Sequence, residues 1–133
     1  MADGPFREQI KRLVERLEGG VAAVMMGFDG ITLDSYVQPR EAAATAQHGA
    51  GALPDILTMA MEFAHLIAQA RRTLQSLDAG ALEEFTLRTD VLTLIVRVLT
   101  PEYFLACAVR PAANLGKARY LMRLTAPGLR ADL

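Results

Sequence analysis

The feature that most constrains this fold is an apolar run at residues 103–109 followed by a capped, basic segment. The run YFLACAV has the length of a strand, and Pro111 stops it because proline lacks a backbone N–H. Asn114 then stands where its side chain can cap a helix, and apolar residues recur at helical spacing after it. The pattern predicts a buried closing strand and a final amphipathic helix that ends at Pro127.

The other periodicities predict the element order α-β-β-α-β-β-β-α. A first helix is expected over residues 6–17, strands over 21–28 and 31–37, a long helix over 54–77, and strands over 82–89 and 91–99. Asp29-Gly30 favours a tight type I′ hairpin, and the short turns make both strand groups antiparallel. The expected class is an α+β sandwich, a five-stranded antiparallel sheet with helices on both faces.

The chain of 133 residues is long enough for one domain with a single core, and no internal repeat divides it. We expect a single domain over residues 1–133, with its core at about 6–130. Residues 38–53 are rich in Ala, Gly and Gln without a clear period, which indicates a mobile loop in which residues 40–47 are the candidate for a helical turn.

Charge and composition exclude several classes of partner. A formal net charge of −1 argues against a nucleic-acid or anionic membrane surface as a partner. No apolar run approaches the roughly 20 residues that span a bilayer, and the polar start of the chain is unlike a signal peptide. The single Cys107 cannot form an internal disulfide, so a reducing cytoplasm fits.

No arrangement of residues predicts catalysis, a cofactor or a metal site. His48 and His65 are the two histidines, and neither has a converging set of ligands in the sequence. Cys107 lies in an apolar strand, where a buried thiol is the ordinary interpretation. Gly116-Lys117 lacks the remaining residues of a phosphate-binding loop, so we attribute Gly116 to close packing of the helix on the sheet.

The long helix over residues 54–77 is apolar over roughly 220°, whereas covering one core needs only about 100°. We therefore expect it to bury two faces, the second against another copy of the chain, since small alanines allow close approach. The alternative is a central helix in a monomer. The predicted self-association face consists of Ile56, Ala60, Phe63, Ile67, Ala70 and Leu74.

Basic residues at two places are candidate contacts to a protein partner. Arg71 and Arg72 lie towards the end of the long helix, where interaction with the helix dipole is the simpler explanation. The last helix carries further cations that form either a basic strip or an ordinary solvated face: Lys117, Arg119, Arg123 and Arg130.

Three segments in this order resemble the Roadblock family, the dynein-light-chain-related domains. They are residues 20–36 with the Asp-Gly turn, residues 82–99, and residues 111–124 with Asn114, Leu115 and Gly116 in the family's Asn-Leu-Gly element. The resemblance implies a profilin-like or longin-like fold and a non-catalytic homodimer built through the long helix and the adjoining strand edge. Family members include motor light chains, scaffolds for Rag-type GTPases, and bacterial regulators such as MglB that bind a small Ras-like GTPase.

Three functional hypotheses follow. The first is a cytoplasmic, homodimeric adaptor that regulates a small Ras-like GTPase. The second is a scaffold or motor-type light chain whose binding ignores nucleotide state. The third, a small-molecule sensor, ranks last because the inner strand residues are almost all apolar and a sensor pocket needs converging polar groups.

Overall fold

The computed structural model describes residues 4–45 and 54–133, with side chains for 4–42 and 54–133. The elements in this part of the chain follow the order α1 (Arg7–Arg16), β1 (Gly20–Gly27), β2 (Thr32–Val37), α2 (Pro39–Thr45), α3 (Ile56–Ser76), β3 (Glu84–Arg88), β4 (Thr93–Val98), β5 (Tyr103–Val109) and α4 (Leu115–Ala131). The predicted order is therefore confirmed except for α2, which is an additional helix.

The five strands form one antiparallel sheet in the order β2-β1-β5-β4-β3. The predicted α+β class, with helices on both faces, is confirmed. Every residue of β1 is buried, and so is β5 after its first residue, because each central strand is covered on both faces. The strands β2 and β3 form the two edges.

Two hydrophobic clusters lie on opposite faces of this sheet. One cluster packs α1 and α4 against alternate residues such as Ala23, Met25 and Ile95. The other packs α3 against the intervening residues, such as Ala22 and Val24. The alternation of side chains along each strand explains this division.

The turn between β1 and β2 differs from the type I′ hairpin predicted for Asp29-Gly30. The N–H of Gly27 donates to the oxygen of Ile31 at 2.9 Å, so three residues lie between them. Gly30 has a φ of +88°, whereas Asp29 is not in the positive-φ region that a type I′ turn would require. The observed turn is thus a three-residue loop in which only Gly30 adopts the left-handed conformation.

The start of the predicted loop over residues 38–53 is helical. Residues Pro39–Thr45 form α2, and Glu41 on this helix is paired with Arg110 at the end of β5. The carboxylate of Glu41 accepts from the Nε of Arg110 at 3.3 Å, and Glu41 is buried. Residues 46–53 of the predicted loop lie outside the described residues.

The last helix continues through Pro127, contrary to the prediction that it ends there. Proline leaves one carbonyl of the preceding turn without its helical donor, but the following turn is held by tertiary contacts. Leu129 is fully buried, and the Nε of Arg130 donates to the carbonyl oxygen of Leu99 at 2.8 Å. Burial of this turn therefore overrides the local signal.

Candidate protein-binding surfaces

The residues considered for catalysis or metal binding have structural or solvent-exposed positions. His65 is exposed, and His48 lies outside the described residues. Among residues 4–42 and 54–133, no group of three or more His, Cys, Asp or Glu side chains could hold a metal ion. Burial raises the pKa of the Cys107 thiol to about 12, because the interior disfavours the thiolate.

None of the helices in the described part is long and apolar enough to cross a membrane.

Asn114 caps α4 as predicted, but the role predicted for Gly116 is wrong. The Oδ1 of Asn114 accepts from the backbone N–H of Lys117 at 3.1 Å. Gly116 is exposed, and a Cβ at this position would meet only that same Oδ1, at 3.4 Å. Close packing on the sheet therefore does not explain this glycine.

The six residues predicted for self-association divide into two groups. Ile56, Ala60 and Ile67 are at most 3% exposed and belong to the core between α3 and the sheet. These three residues cannot meet a partner, so this part of the prediction is wrong. The other three are half-buried and accessible to a partner: Phe63, Ala70 and Leu74.

A different line of apolar residues runs along one side of α3. At 100° per residue, Met59, Phe63, Leu66 and Ala70 fall within about 60° of one another. We call these four residues the α3 flank. Leu66 is 45% exposed, and Phe63 and Met59 pack on the rim of the core beneath. Met61 projects from the other side of the helix and lies close to Gly30, so the α3 flank faces away from the β1–β2 turn.

The edge formed by β3 carries backbone groups that have no partner within the part of the chain that the structure describes. The N–H of Val98 donates to the carbonyl of Glu83, and the N–H of Thr89 donates to the carbonyl of Leu92. The odd-numbered residues from 83 to 89 are therefore the ones that hydrogen-bond with β4. The intervening residues Glu84, Thr86 and Arg88 therefore direct their N–H and C=O groups outwards. No hydrogen bond to these outward groups occurs within residues 4–42 and 54–133.

The side chains of β3 also divide between the two faces. Phe85 and Leu87 are half-buried and pack on the rim of the same cluster as the α3 flank. Glu84 and Thr86 face α4, where Arg119 forms an ion pair with Glu84 at 3.0 Å and donates to Thr86 Oγ1 at 3.2 Å. The edge thus has an apolar side and a charged side.

The opposite edge, β2, is closed at its centre. The N–H of Gln38 donates to Val21, so Ser35 is a residue whose backbone groups point outwards. Its N–H donates to Asp34 Oδ1 at 2.9 Å, and its carbonyl accepts from Arg7 Nη1 at 2.7 Å. Side chains of the same protomer therefore occupy both groups that another strand would need.

The two arginines of α3 have different surroundings. Arg71 is half-buried, and its guanidinium lies 4.1 Å from the ring centre of Phe28 and donates to the carbonyl of Pro101 at 2.9 Å. Arg72 is exposed. Since α3 continues to Ser76, neither lies in its last turn. Arg71 thus holds the helix on the sheet, and only Arg72 is fully accessible.

The cations of α4 do not form a single strip. Arg119, Arg123 and Arg130 are spaced by four and seven residues and share one side of the helix, next to β3 and β4. Lys117 lies on another side, near Leu17 of the α1 end. The structure therefore brings three of the predicted cations together and separates the fourth.

No family model matches the chain, and no curated protein matches it in sequence. Solved structures do. MglC from Myxococcus xanthus shares 31% sequence identity, with a TM-score of 0.64 over 96% of this chain and 98% of MglC. A Roadblock/LC7 domain from Streptomyces avermitilis matches at 18% identity and a TM-score of 0.76, over 98% of this chain and 97% of that domain. The chain belongs to the Roadblock/LC7 family.

A more distant member supports the same fold. The gliding protein MglB from Thermus thermophilus shares 17% identity and a TM-score of 0.73, over 98% of this chain and 93% of MglB. At this identity the likeness concerns the fold alone, and with the Streptomyces domain it confirms the Roadblock, profilin-like class. The predicted family resemblance is therefore confirmed over nearly the whole chain.

The sequence did not reveal two features of these surfaces. Met59 and Leu66 are absent from the predicted face, whose residues Ile56, Ala60, Phe63 and Ile67 follow an alternating spacing of four and three residues. Both nevertheless lie next to Phe63 on the helix. The closed β2 edge depends on Arg7, which is 28 residues from Ser35, and no local pattern predicts such a contact.

Proposed function

We propose that this Roadblock-type protein is a non-catalytic, homodimeric adaptor in the cytoplasm that binds a small Ras-like GTPase and modulates its nucleotide cycle. The similarity to MglC over nearly the full length of both chains carries the proposal. The GTPase partner is what the family resemblance implies, through bacterial members such as MglB. The proposal treats residues 1–133 as one domain, with its core at about 6–130.

Self-association through β3 is the part that the residues specify best. A strand edge with unpaired N–H and C=O groups pairs readily with another strand, and a twofold dimer uses the same patch on both copies. Glu84, Thr86 and Arg88 direct these groups outwards. Two copies of β3 can therefore extend the two sheets into one continuous antiparallel sheet.

The charges of β3 select one register for this pairing. When the twofold axis passes through Thr86, Glu84 of each copy lies opposite Arg88 of the other, and Phe85 lies opposite Leu87. An axis through Phe85 or Leu87 would shorten the stretch of β3 over which the two copies pair. It would also remove the pairing of Glu84 with Arg88 of the other copy. Opposite charges across a strand pair stabilise it by about 0.2–1 kcal/mol per pair. The Thr86 register is therefore favoured both by its longer pairing and by its two charge pairs.

The α3 flank completes the interface on the other face of the sheet. Phe85 and Leu87 are half-buried and pack against the same cluster as Phe63 and Met59, so pairing of two copies would cover apolar side chains of both groups. The proposed interface keeps Phe63 and Ala70 from the predicted self-association face, with Leu74 beside them. It does not include Ile56, Ala60 and Ile67, which are buried in the core. Apolar burial then supplies affinity, and the strand pairing supplies register.

A nucleotide-dependent capture experiment tests the GTPase proposal. The purified protein is immobilised and exposed to native lysate whose GTPases are loaded either with a GTP analogue or with GDP, and retained proteins are identified by mass spectrometry. We expect a small Ras-like GTPase in the GTP-analogue sample at much higher abundance than in the GDP sample. The captured GTPase is then assayed for hydrolysis with and without the adaptor.

The same experiment separates this proposal from the scaffold hypothesis. Capture of the same partners in both samples would assign the protein to nucleotide-independent scaffolding and overturn the regulatory proposal. A matched control is the Phe63→Asp variant, in which a carboxylate replaces a ring of the α3 flank. If that variant is folded and monomeric but still retains the GTPase, the GTPase surface is separate from the dimer interface.

A further inference from the structure

A groove runs between α1 and α4, on the side of the sheet opposite α3. The two helices approach closely at Gly128, where a Cβ would lie 2.6 Å from Gln9 Oε1, and Gln9 also donates to Asp132 at 3.1 Å. Beside this contact the helices enclose a groove of about 190 Å³. Its floor is formed by Leu13 and Leu121, which also belong to the core.

The α1 wall of the groove is basic. Arg12 and Arg16 line it, and no carboxylate is among the described residues that line the groove. Two acids lie near the groove: Asp132 accepts from Gln9, and Glu8 pairs with Arg12 at 3.4 Å. The side chains of Glu8 and Arg12 are 66% and 72% exposed. An exposed pair of this kind contributes little and exchanges easily, so Arg12 remains available to a carboxylate of another molecule.

The α4 wall is an apolar ridge with further arginines behind it. Leu124 lines the groove and is 54% exposed, and Tyr120 beside it is also 54% exposed. On the far side of these two residues lie Arg119 and Arg123, both exposed. Arg119 is engaged with Glu84, whereas Arg123 has no polar contact within the described residues. An apolar strip is thus bordered by arginines on both sides.

We propose that this groove, with the Tyr120 and Leu124 ridge, binds an amphipathic helix of a partner protein that carries aspartate and glutamate on both sides of its apolar stripe. Leucine-type side chains of that helix fill the groove between Leu13 and Leu124. Its carboxylates meet Arg12 and Arg16 on one side and Arg123 on the other. The 17 residues of α4 span about 25 Å, which suits a partner helix of four to five turns.

The mixture of apolar and basic residues favours a protein segment over a phosphate-rich ligand. A phosphate ligand would use the arginines but would leave the exposed Leu124 and Tyr120 without a contact. An acidic amphipathic helix satisfies both kinds of residue. The surface lies on the other side of the sheet from the α3 flank and Phe85, so binding here goes beyond the proposed GTPase regulation and needs neither the dimer nor a GTPase.

Fluorescence anisotropy with a synthetic probe tests this proposal directly. The probe is a labelled helical peptide with one leucine stripe bordered by glutamates, and the comparison peptide has lysine at every glutamate position. Leu124→Glu and Arg16→Glu change the groove, while Ile31→Glu and Arg40→Glu introduce the same charges at exposed positions elsewhere. We expect the two groove variants to weaken binding of the acidic peptide at least about tenfold, and the two control variants to stay within about twofold.

Several results would overturn the proposal. One is binding of the lysine peptide as tightly as the glutamate peptide. Another is an equal loss of affinity in groove and control variants, which would show that net charge alone decides binding. Tighter binding of inorganic polyphosphate than of the acidic peptide would assign the arginines to a phosphate ligand instead. Circular dichroism of each variant confirms folding, and sedimentation of the same samples reports self-association separately.

Discussion

The two edge strands of the sheet differ in whether side chains of the same protomer occupy their outward backbone groups. Both β2 and β3 have residues whose backbone groups point away from the sheet. On β2, Asp34 and Arg7 satisfy both outward groups of Ser35. On β3, the outward groups of Glu84, Thr86 and Arg88 have no hydrogen-bond partner among the described residues, and a half-buried apolar rim lies beside them. Side chains that occupy the outward backbone groups of an edge strand prevent it from pairing with another strand. An edge strand whose outward groups lack such partners is suited to pairing.

The side-chain block on β2 is supported from outside the strand. Arg7 stands at the start of α1, and its guanidinium lies over the ring of Tyr36, 5.3 Å from the ring centre. Tyr36 is buried beneath it. The residue that closes the edge is thus held by packing as well as by its hydrogen bond.

The largest effect is expected from Phe63→Asp on the α3 flank. Self-association would bury an unpaired carboxylate at the centre of the interface, which costs several kcal/mol. We expect the variant to sediment as a monomer. His65→Asp places the same side chain on the exposed polar arc of α3 and should leave the mass of the dimer unchanged. Retention of the dimer by folded Phe63→Asp would remove the α3 flank from the interface.

A charge exchange on β3 sharpens the comparison by testing the register. Arg88→Glu would place two glutamates opposite each other at both ends of the pairing, so we expect the dimer to weaken about tenfold. The double variant Glu84→Arg with Arg88→Glu restores opposite charges and should recover most of the affinity. The Arg119→Ala variant removes the ion pair between Arg119 and Glu84 within one protomer, so it measures the effect of losing that pair alone. A double variant no better than the single one would rule out the Thr86 register.

A smaller effect is expected when the blocked edge is opened. Arg7→Ala removes a charged donor from the Ser35 carbonyl, and we expect a loss of about 1–2 kcal/mol in the free energy of unfolding. The freed edge should also yield oligomers larger than a dimer at high concentration. Arg12→Ala, which removes a mostly exposed arginine from the same helix, is the control. Unchanged stability and mass in Arg7→Ala would show that the block has no effect.

The effect that is smallest at neutral pH concerns the centre of the sheet, because the thiol of Cys107 is then protonated in both the folded and the unfolded state. The pKa of Cys107 is raised to about 12 in the folded protein from an ordinary value of 9.0, so the unfolded state releases its proton first. Stability should therefore fall as pH rises above about 9, by at most about 1.4 kcal/mol per pH unit. Urea unfolding across this range, compared with Cys107→Ala, checks the slope. An equally steep slope in the variant would exclude the thiol as its cause.

The sequence predicted the framework of the sheet because apolar runs and turn residues are local signals. The closing strand has the predicted bounds Tyr103–Val109, and the cap at Asn114 is present. The prediction that the last helix ends at Pro127 is wrong because its final turn is held by contacts with distant parts of the chain. Leu129 is buried in the core, and Arg130 donates to the carbonyl of Leu99.

The candidate surfaces were harder to predict from the sequence than the fold. A helix with a wide apolar arc indicates two buried faces, but its periodicity does not say which face meets its own sheet. Ile67 lies on the inner face and Leu66 on the outer one, although they are neighbours in sequence. The state of each edge depends on contacts such as Arg7 to Ser35, which only the folded chain brings together.

The central claim, that β3 pairs and β2 does not, is tested most directly by sedimentation of two matched proline variants. Thr86→Pro removes an outward N–H from β3, and Ser35→Pro removes the corresponding N–H from β2, so neither disturbs a ladder within the sheet. We predict that the wild type and Ser35→Pro sediment at twice the mass of the chain and Thr86→Pro at the mass of one chain. A monomeric wild type, or a Thr86→Pro variant that remains dimeric, would contradict this account.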